Sequence, residues 1–289
     1  MAIIHYEGTL GIFDYDDELW SIRKNGEIPF LHYEGNVKIP IVIPEGIKSC
    51  FGMFAFRYFL KIAPKIPGTV TDCSHMFENC ESLETAPEIP AGVENCYAMF
   101  YKCHSLKMAP KIPGTVTDCR YMFENCDSLE IPPEMAAGVE NCYAMFYDCR
   151  SLKIAPKIPG TVTDCTGMFL HCESLETAPE IPASVKDCSE MFHKCRSLKT
   201  PPKIPFGVIN CFAMFTDCKS LETAPDIPDT VRNCSLMFVG CDSLISHENV
   251  KINEEIKNTI SDKDMYYDSG RMWNEEYRRV VRENDICDW

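Results

Sequence analysis

Asp72-Cys73-Ser74-His75-Met76-Phe77-Glu78-Asn79-Cys80-Glu81-Ser82-Leu83-Glu84-Thr85-Ala86-Pro87-Glu88-Ile89-Pro90-Ala91-Gly92-Val93-Glu94 is one copy of a unit that recurs along the chain. Its first Cys returns at 50, 96, 119, 142, 165, 188, 211 and 234. Its second returns at 103, 126, 149, 172, 195, 218 and 241, and every step is 23 residues without insertion or deletion. The two columns hold 17 of the 18 cysteines, leaving Cys287 outside. A fixed period of this size marks a solenoid, whose units are too small to bury an apolar face alone and stack on their neighbours.

Counting the first Cys as position 0, Cys73, Met76, Phe77 and Cys80 fall at 0, 3, 4 and 7, the spacing of one helical face. Asp or Asn precedes the first Cys from Asp72, Asn95 and Asp118 to Asn233, as a helix N-cap requires. Leu83 and Ile89 read as a short extended segment, with Pro87 and Pro90 preventing a long hydrogen-bonded strand. The expected fold is therefore an α/β repeat, a solenoid of about nine turns, each a short helix plus a short parallel strand. At about 4.8 Å between neighbouring strands it is roughly 43 Å long. The first copy is degenerate, keeping Cys50, Met53, Phe54, Pro64 and Pro67 but carrying Arg57 where the second Cys belongs.

A second period overlies the first. One column reads Lys61, Glu84, Lys107, Glu130, Lys153, Glu176, Lys199, Glu222. Another reads Lys65, Glu88, Lys111, Glu134, Lys157, Glu180, Lys203, Asp226. Residues four apart on an extended segment share a face, so both columns are expected on the exposed side, each charge between two opposite ones. Slipping the stack by one repeat would oppose like charges along both columns, which fixes the register. The 46-residue unit is itself copied, since 61–106 and 107–152 differ at only 10 positions.

The ends do not follow the repeat. Residues 1–49 read as a β-rich N-terminal cap, with strands at Tyr6–Leu10, Leu19–Arg23, Phe30–Tyr33 and Val37–Val42. The solenoid occupies 50–245. Residues 246–289 carry a helical pattern through Met272, Trp273, Tyr277, Val280 and Val281. This segment reads either as a C-terminal helical cap or as a docking segment for a partner, a homodimeric copy included.

Composition narrows the function. A net charge of -15 over 289 residues excludes a broad basic face for nucleic acid. No run of about 18 apolar residues exists to insert in a membrane. Met1–Glu7 shows no charged segment followed by an apolar one, so the expected location is cytoplasmic. There the cysteines are expected as reduced, buried thiols that pack as small hydrophobes. A helix would hold the two cysteines of one unit about 10.5 Å apart, too far to share a metal or a disulfide. Between repeats the like columns come within disulfide range. His75, His171 and His193 neighbour cysteines but fill no column, and no catalytic set or phosphate loop appears. The chain is read as a nonenzyme without cofactor or metal. Tyr97 and Tyr101, Tyr143 and Tyr147 two repeats later, Tyr121 and Phe212 form an outer aromatic set. With Trp273 and Tyr277 they are the candidate protein-binding residues, since aromatic side chains dominate interfaces. Stacking of these rings between turns is the competing reading.

The recurring Cys-x-x-Met-Phe-x-x-Cys-x-Ser-Leu followed by Pro-x-Ile-Pro, over residues 45–245, resembles the BspA-like leucine-rich repeats of bacterial surface and host-associated proteins. The resemblance implies a leucine-rich-repeat solenoid that binds proteins or surfaces without catalysis, and a cell-surface location as the alternative to the cytoplasm. The expected function is a noncatalytic scaffold that binds another protein. The competing functions are an acidic inhibitor or decoy for a basic enzyme cleft, a cell-surface adhesin, and a structural spacer.

Overall fold

The computed structural model describes residues 2–6, 9–13, 43 and 45–244. Near the start, β1 (Ala2–Tyr6) pairs antiparallel with β2 (Thr9–Phe13), in a register running from Ala2↔Phe13 to Tyr6↔Thr9. The expected strand at 6–10 is thus the facing ends of two strands. The other expected strands of the first 49 residues, and the tail 246–289, lie outside the described residues.

The repeats stack as expected, but the expected helix is absent: among the described residues there is none. Each Cys-x-x-Met-Phe-x-x-Cys segment is instead a ribbon of linked turns. The residues at positions 2 and 6 of every copy lie at positive φ, for example His75 at 56° and Asn79 at 56°, where no α-helix can continue. The amides then alternate in direction. Cys73, His75, Phe77 and Asn79 donate to carbonyls of the next copy, Asn95, Tyr97, Met99 and Tyr101, at 2.9, 2.9, 2.9 and 2.7 Å. Met76, Glu78 and Cys80 donate back within the copy to Cys73, His75 and Phe77, each at 3.1 Å. Ser74 has no such carbonyl, and Asp72 Oδ1 accepts its amide at 3.1 Å. The same bond recurs at Asn95, Asp118, Asn141, Asp164, Asp187, Asn210 and Asn233. The Asp/Asn column therefore caps a turn ribbon, accepting the one amide that neither neighbour satisfies.

This geometry buries the same face that a helix would. Cys73, Met76, Phe77, Cys80, Leu83 and Val93 are fully buried, as are their counterparts through the middle copies. The phenylalanines from Phe54 to Phe238 stack with centroids 5.5–5.8 Å apart and planes only 2–10° from parallel. Successive copies are thus almost superposed by translation. Every second-column thiol, from Cys80 to Cys241, donates its S–H to the phenylalanine carbonyl of the preceding copy at 3.0–3.2 Å. All seventeen described cysteines are free and buried. An unbroken ladder of parallel bridges joins Ser49 to Asn233 through the Asp/Asn column. The extended segment after Leu83 contributes only isolated rungs such as Ile62↔Thr85 and Met108↔Ile131, where a short strand was expected. The prolines that follow remove the donors a strand needs. The Lys/Glu columns are exposed, with ion pairs Lys61–Glu84 at 3.2 Å and Lys111–Glu134 at 3.0 Å.

Candidate functional site

With positions 0, 3, 4 and 7 buried, the side chains at 1, 2, 5 and 6 lie over the outer surface of the ribbon. They meet their neighbours from adjacent copies, forming two rows. In the first, Phe51, His75, Tyr97, Tyr121 and Tyr143 run in sequence with centroids 5.4, 5.0, 5.6 and 5.2 Å apart. Interplanar angles of 54–75° make these edge-to-face or tilted contacts, the arrangement aromatic pairs prefer. The row alternates between positions 1 and 2, so each ring touches a residue 24 or 22 positions along the chain. Arg120 covers the Tyr97 ring at 5.1 Å, held there by Asp118 through Nε at 3.0 Å and Nη2 at 2.6 Å. Burial, reinforced by Tyr143, raises the Tyr121 phenol above its ordinary range, so it stays a neutral donor.

The second row follows positions 5 and 6. Lys102 lies 5.1 Å over Tyr101. Glu124, only 7% exposed, occupies the equivalent position one copy on. Burial lifts its carboxyl to about 7, with Lys102 opposing and Asp148 adding. Tyr147 then meets His171 at 5.5 Å, and His171 meets His193 at 6.0 Å. Burial alone would raise Asp148, but the His171 imidazole 3.8 Å away and hydrogen bonds from Arg150 at 2.8 and 3.0 Å hold it at about 2. His193 is buried with neither ring nitrogen hydrogen-bonded, and burial lowers its pKa, leaving a neutral imidazole.

The structure therefore joins Tyr97, Tyr121 and Tyr143 in one row and places Tyr101 and Tyr147 in another, separated by Glu124. All five are half-buried. Phe212 is half-buried too, with no ring contact among the described residues, and Trp273 and Tyr277 lie outside those residues. Phe51, His75 and Arg120 belong to the first row and carry no signal within their own repeats. The Tyr97/Tyr101 spacing of four, suggestive on a helix, has no such meaning on the ribbon.

Two further surfaces stand out. Ile62, Met108, Ile131 and Ile154 share position 12 and are 74, 56, 55 and 63% exposed. Phe206, 77% exposed, stands in a column otherwise filled by Gly68, Ala91, Gly114, Ala137, Gly160, Ala183 and Asp229. It borders an open groove of about 740 Å³ shared with Pro202, Ile204 and Pro225. Among the described residues no cluster of three or more His, Cys, Asp or Glu could hold a metal. Burial raises the column thiols far above their ordinary range, which makes them poor nucleophiles.

The family model of the BspA type leucine rich repeat region matches the sequence in six copies, across residues 33–153 and 133–245. Among solved structures, the chain is similar to a leucine-rich repeat protein from Bacteroides ovatus, at 22% identity and a TM-score of 0.54, covering 80% of this chain and 75% of that one. It is also similar to a leucine rich cell surface protein from Faecalibacterium prausnitzii, at 17% identity and a TM-score of 0.33, covering 94% and 99%. A comparison with curated proteins finds no match.

Proposed function

Because the chain belongs to the BspA-type leucine-rich-repeat family, we propose that it is a noncatalytic scaffold binding another protein through the outer surface of its turn ribbon. The observation that carries this reading is the row from Phe51 to Tyr143. It offers rigid amphipathic rings with phenolic hydroxyls, pre-ordered by contact with one another. Such rings bury large area at small entropy cost, and pre-ordering lowers that cost further. The family supports the cell-surface location over the cytoplasmic one. Among the described residues no helix is long and apolar enough to cross a membrane.

The test compares wild-type protein with a Tyr97→Ser/Tyr121→Ser/Tyr143→Ser variant as bait in the native host, with mass spectrometry of what each retains. A protein bound directly by the wild type and lost by the variant, at unchanged circular dichroism, is the expected result. Equal retention of every bound protein would refute the assignment of the row. Surface labelling of intact native cells checks the location.

A further inference from the structure

The position-12 column and the Lys/Glu columns beside it form one face, and its charge pattern specifies what covers it. In this face Ile62, Met108, Ile131 and Ile154 are all more than half exposed, three of them on consecutive copies. Scattered exposed apolar residues are ordinary, whereas a contiguous stripe marks a contact surface. Lys61, Glu84 and their successors run beside it on position 11, and Lys65, Glu88 and their successors on position 15. Within a copy the two columns carry the same sign, and the sign reverses from one copy to the next.

A partner of uniform charge meets as much repulsion as attraction on such a face. A matching partner must alternate at the same pitch, and a second copy of this chain does. Two faces in parallel register would set Lys61 against Lys65 and Glu84 against Glu88, like against like. Antiparallel faces related by a two-fold axis between two copies set every Lys against an acid. With that axis between the fourth and fifth rows, all eight rows engage. Lys61 faces Glu222, Glu84 faces Lys199, Lys107 faces Glu176 and Glu130 faces Lys153, while position 15 pairs Lys65 with Asp226 and Glu134 with Lys157 in the same sense. The same axis brings Ile131 of one copy onto Ile154 of the other, at the centre. The near-parallel phenylalanine planes, 2–10° per step, keep the columns straight enough for rows to meet along the length.

We propose that this face is where a second copy of the chain docks, antiparallel, about a two-fold axis between the Ile131 and Ile154 rows. The closed two-fold arrangement uses up the face and stops at a dimer. Eight rows at about 4.8 Å, and a width of about four extended residues, make a patch of roughly 38 by 13 Å. That is the small end of specific interfaces, so association belongs to the micromolar range.

Sedimentation of the full chain at roughly 1–200 μM tests this. The expected result is a monomer of 32.9 kDa in equilibrium with a species of twice that mass, weakening as salt is added. Ile131→Asp/Ile154→Asp should weaken it by about a hundredfold or more, because each substitution enters the symmetric contact twice. The register is read independently of any folding effect. In a Cys287→Ser background, Thr85→Cys and Thr200→Cys chains are mixed with a short bismaleimide. Cross-linking between the two different chains, and not within either sample alone, is expected. A monomer throughout the range, a dimer indifferent to the aspartates, or cross-linking of Thr85→Cys to itself would each overturn the proposal. The dimer surface is separate from the aromatic row, so its failure leaves the protein-binding reading standing, and the reverse.

Discussion

Replacing Lys194 with glycine distinguishes the turn ribbon from the helix that the same residue spacing suggests. Lys194 lies at φ 61° and donates its amide to Thr216 at 2.7 Å, a bond that glycine retains. In the ribbon, removing Cβ relieves a left-handed penalty of about 1–2 kcal/mol. Against it stands the greater freedom of glycine in the unfolded chain, about 0.5–1 kcal/mol. Lys194→Gly should therefore stabilise the fold by roughly 0.5–1 kcal/mol. In a helix interior the same change would destabilise it by about 0.7–1 kcal/mol, so the sign alone decides. Lys194→Val should move the other way, because a β-branched residue tolerates positive φ worst. Urea unfolding followed by circular dichroism gives the comparison, provided the slopes agree. A lower midpoint for the glycine variant than for wild type would refute the ribbon geometry at this copy.

Glu124 makes stability depend on pH in the direction opposite to most carboxylates. Its folded pKa of about 7 exceeds the ordinary value of 4.5, so the folded state holds the proton more tightly than the unfolded. The contribution is fully present below pH 4.5 and is lost as pH rises through 7. Glu124→Gln should remove up to ~3 kcal/mol of that dependence, visible as a flatter melting temperature between about pH 5 and pH 8. The column thiols should stay silent toward a thiol reagent until the fold opens. Burial pushes Cys80 and Cys188 up to about 12 and Cys234, nearer the described end, to about 11. Thiol titration with and without urea checks this, and native reaction of the middle columns would contradict their burial.

The core was legible because a 23-residue period leaves one way to bury Cys73, Met76, Phe77, Cys80, Leu83 and Val93 together. The local conformation was not, because spacing 0, 3, 4, 7 is common to a helical face and to this ribbon. The discriminating signal lies at positions 2 and 6. Gly52, Gly167, Gly240, Asn79, Asn125, Asp148 and Asp217 suit left-handed backbone there. Lys102, Tyr121, Glu190 and Leu236 occupy the same conformation and mask the pattern. The strain persists because each such residue from Gly52 to Asp217 turns its amide toward the next copy, so stacking fixes a geometry that no single unit specifies. The Asp/Asn column shows the same ambiguity: an oxygen before an orphan amide is needed in both structures. The aromatic set was legible as outward-facing, yet its contacts run between copies, where a reading within one unit cannot find Phe51 or His75.

Core and surface obey different rules along the stack. Cys, Met and Phe recur almost unchanged from Cys50 to Cys241, because each must fit against an identical neighbour on both sides. Substituting one copy alone would leave a mismatch at two interfaces, which holds the columns uniform. The outer positions 1, 2 and 12 carry no such constraint, and there the copies diverge. The aromatic row ends at Tyr143 and the aliphatic stripe at Ile154, where Thr166, Gly167 and Thr177 take over, while the buried columns continue for four more copies. Stability of a linear stack is a sum over neighbouring interfaces, so those later copies add stability without lengthening the aromatic row or the aliphatic stripe. Deleting one 46-residue pair from the later copies should shorten the stack while leaving the aromatic row intact, whereas deleting the pair 107–152 should remove Met108, Tyr121, Ile131 and Tyr143 together.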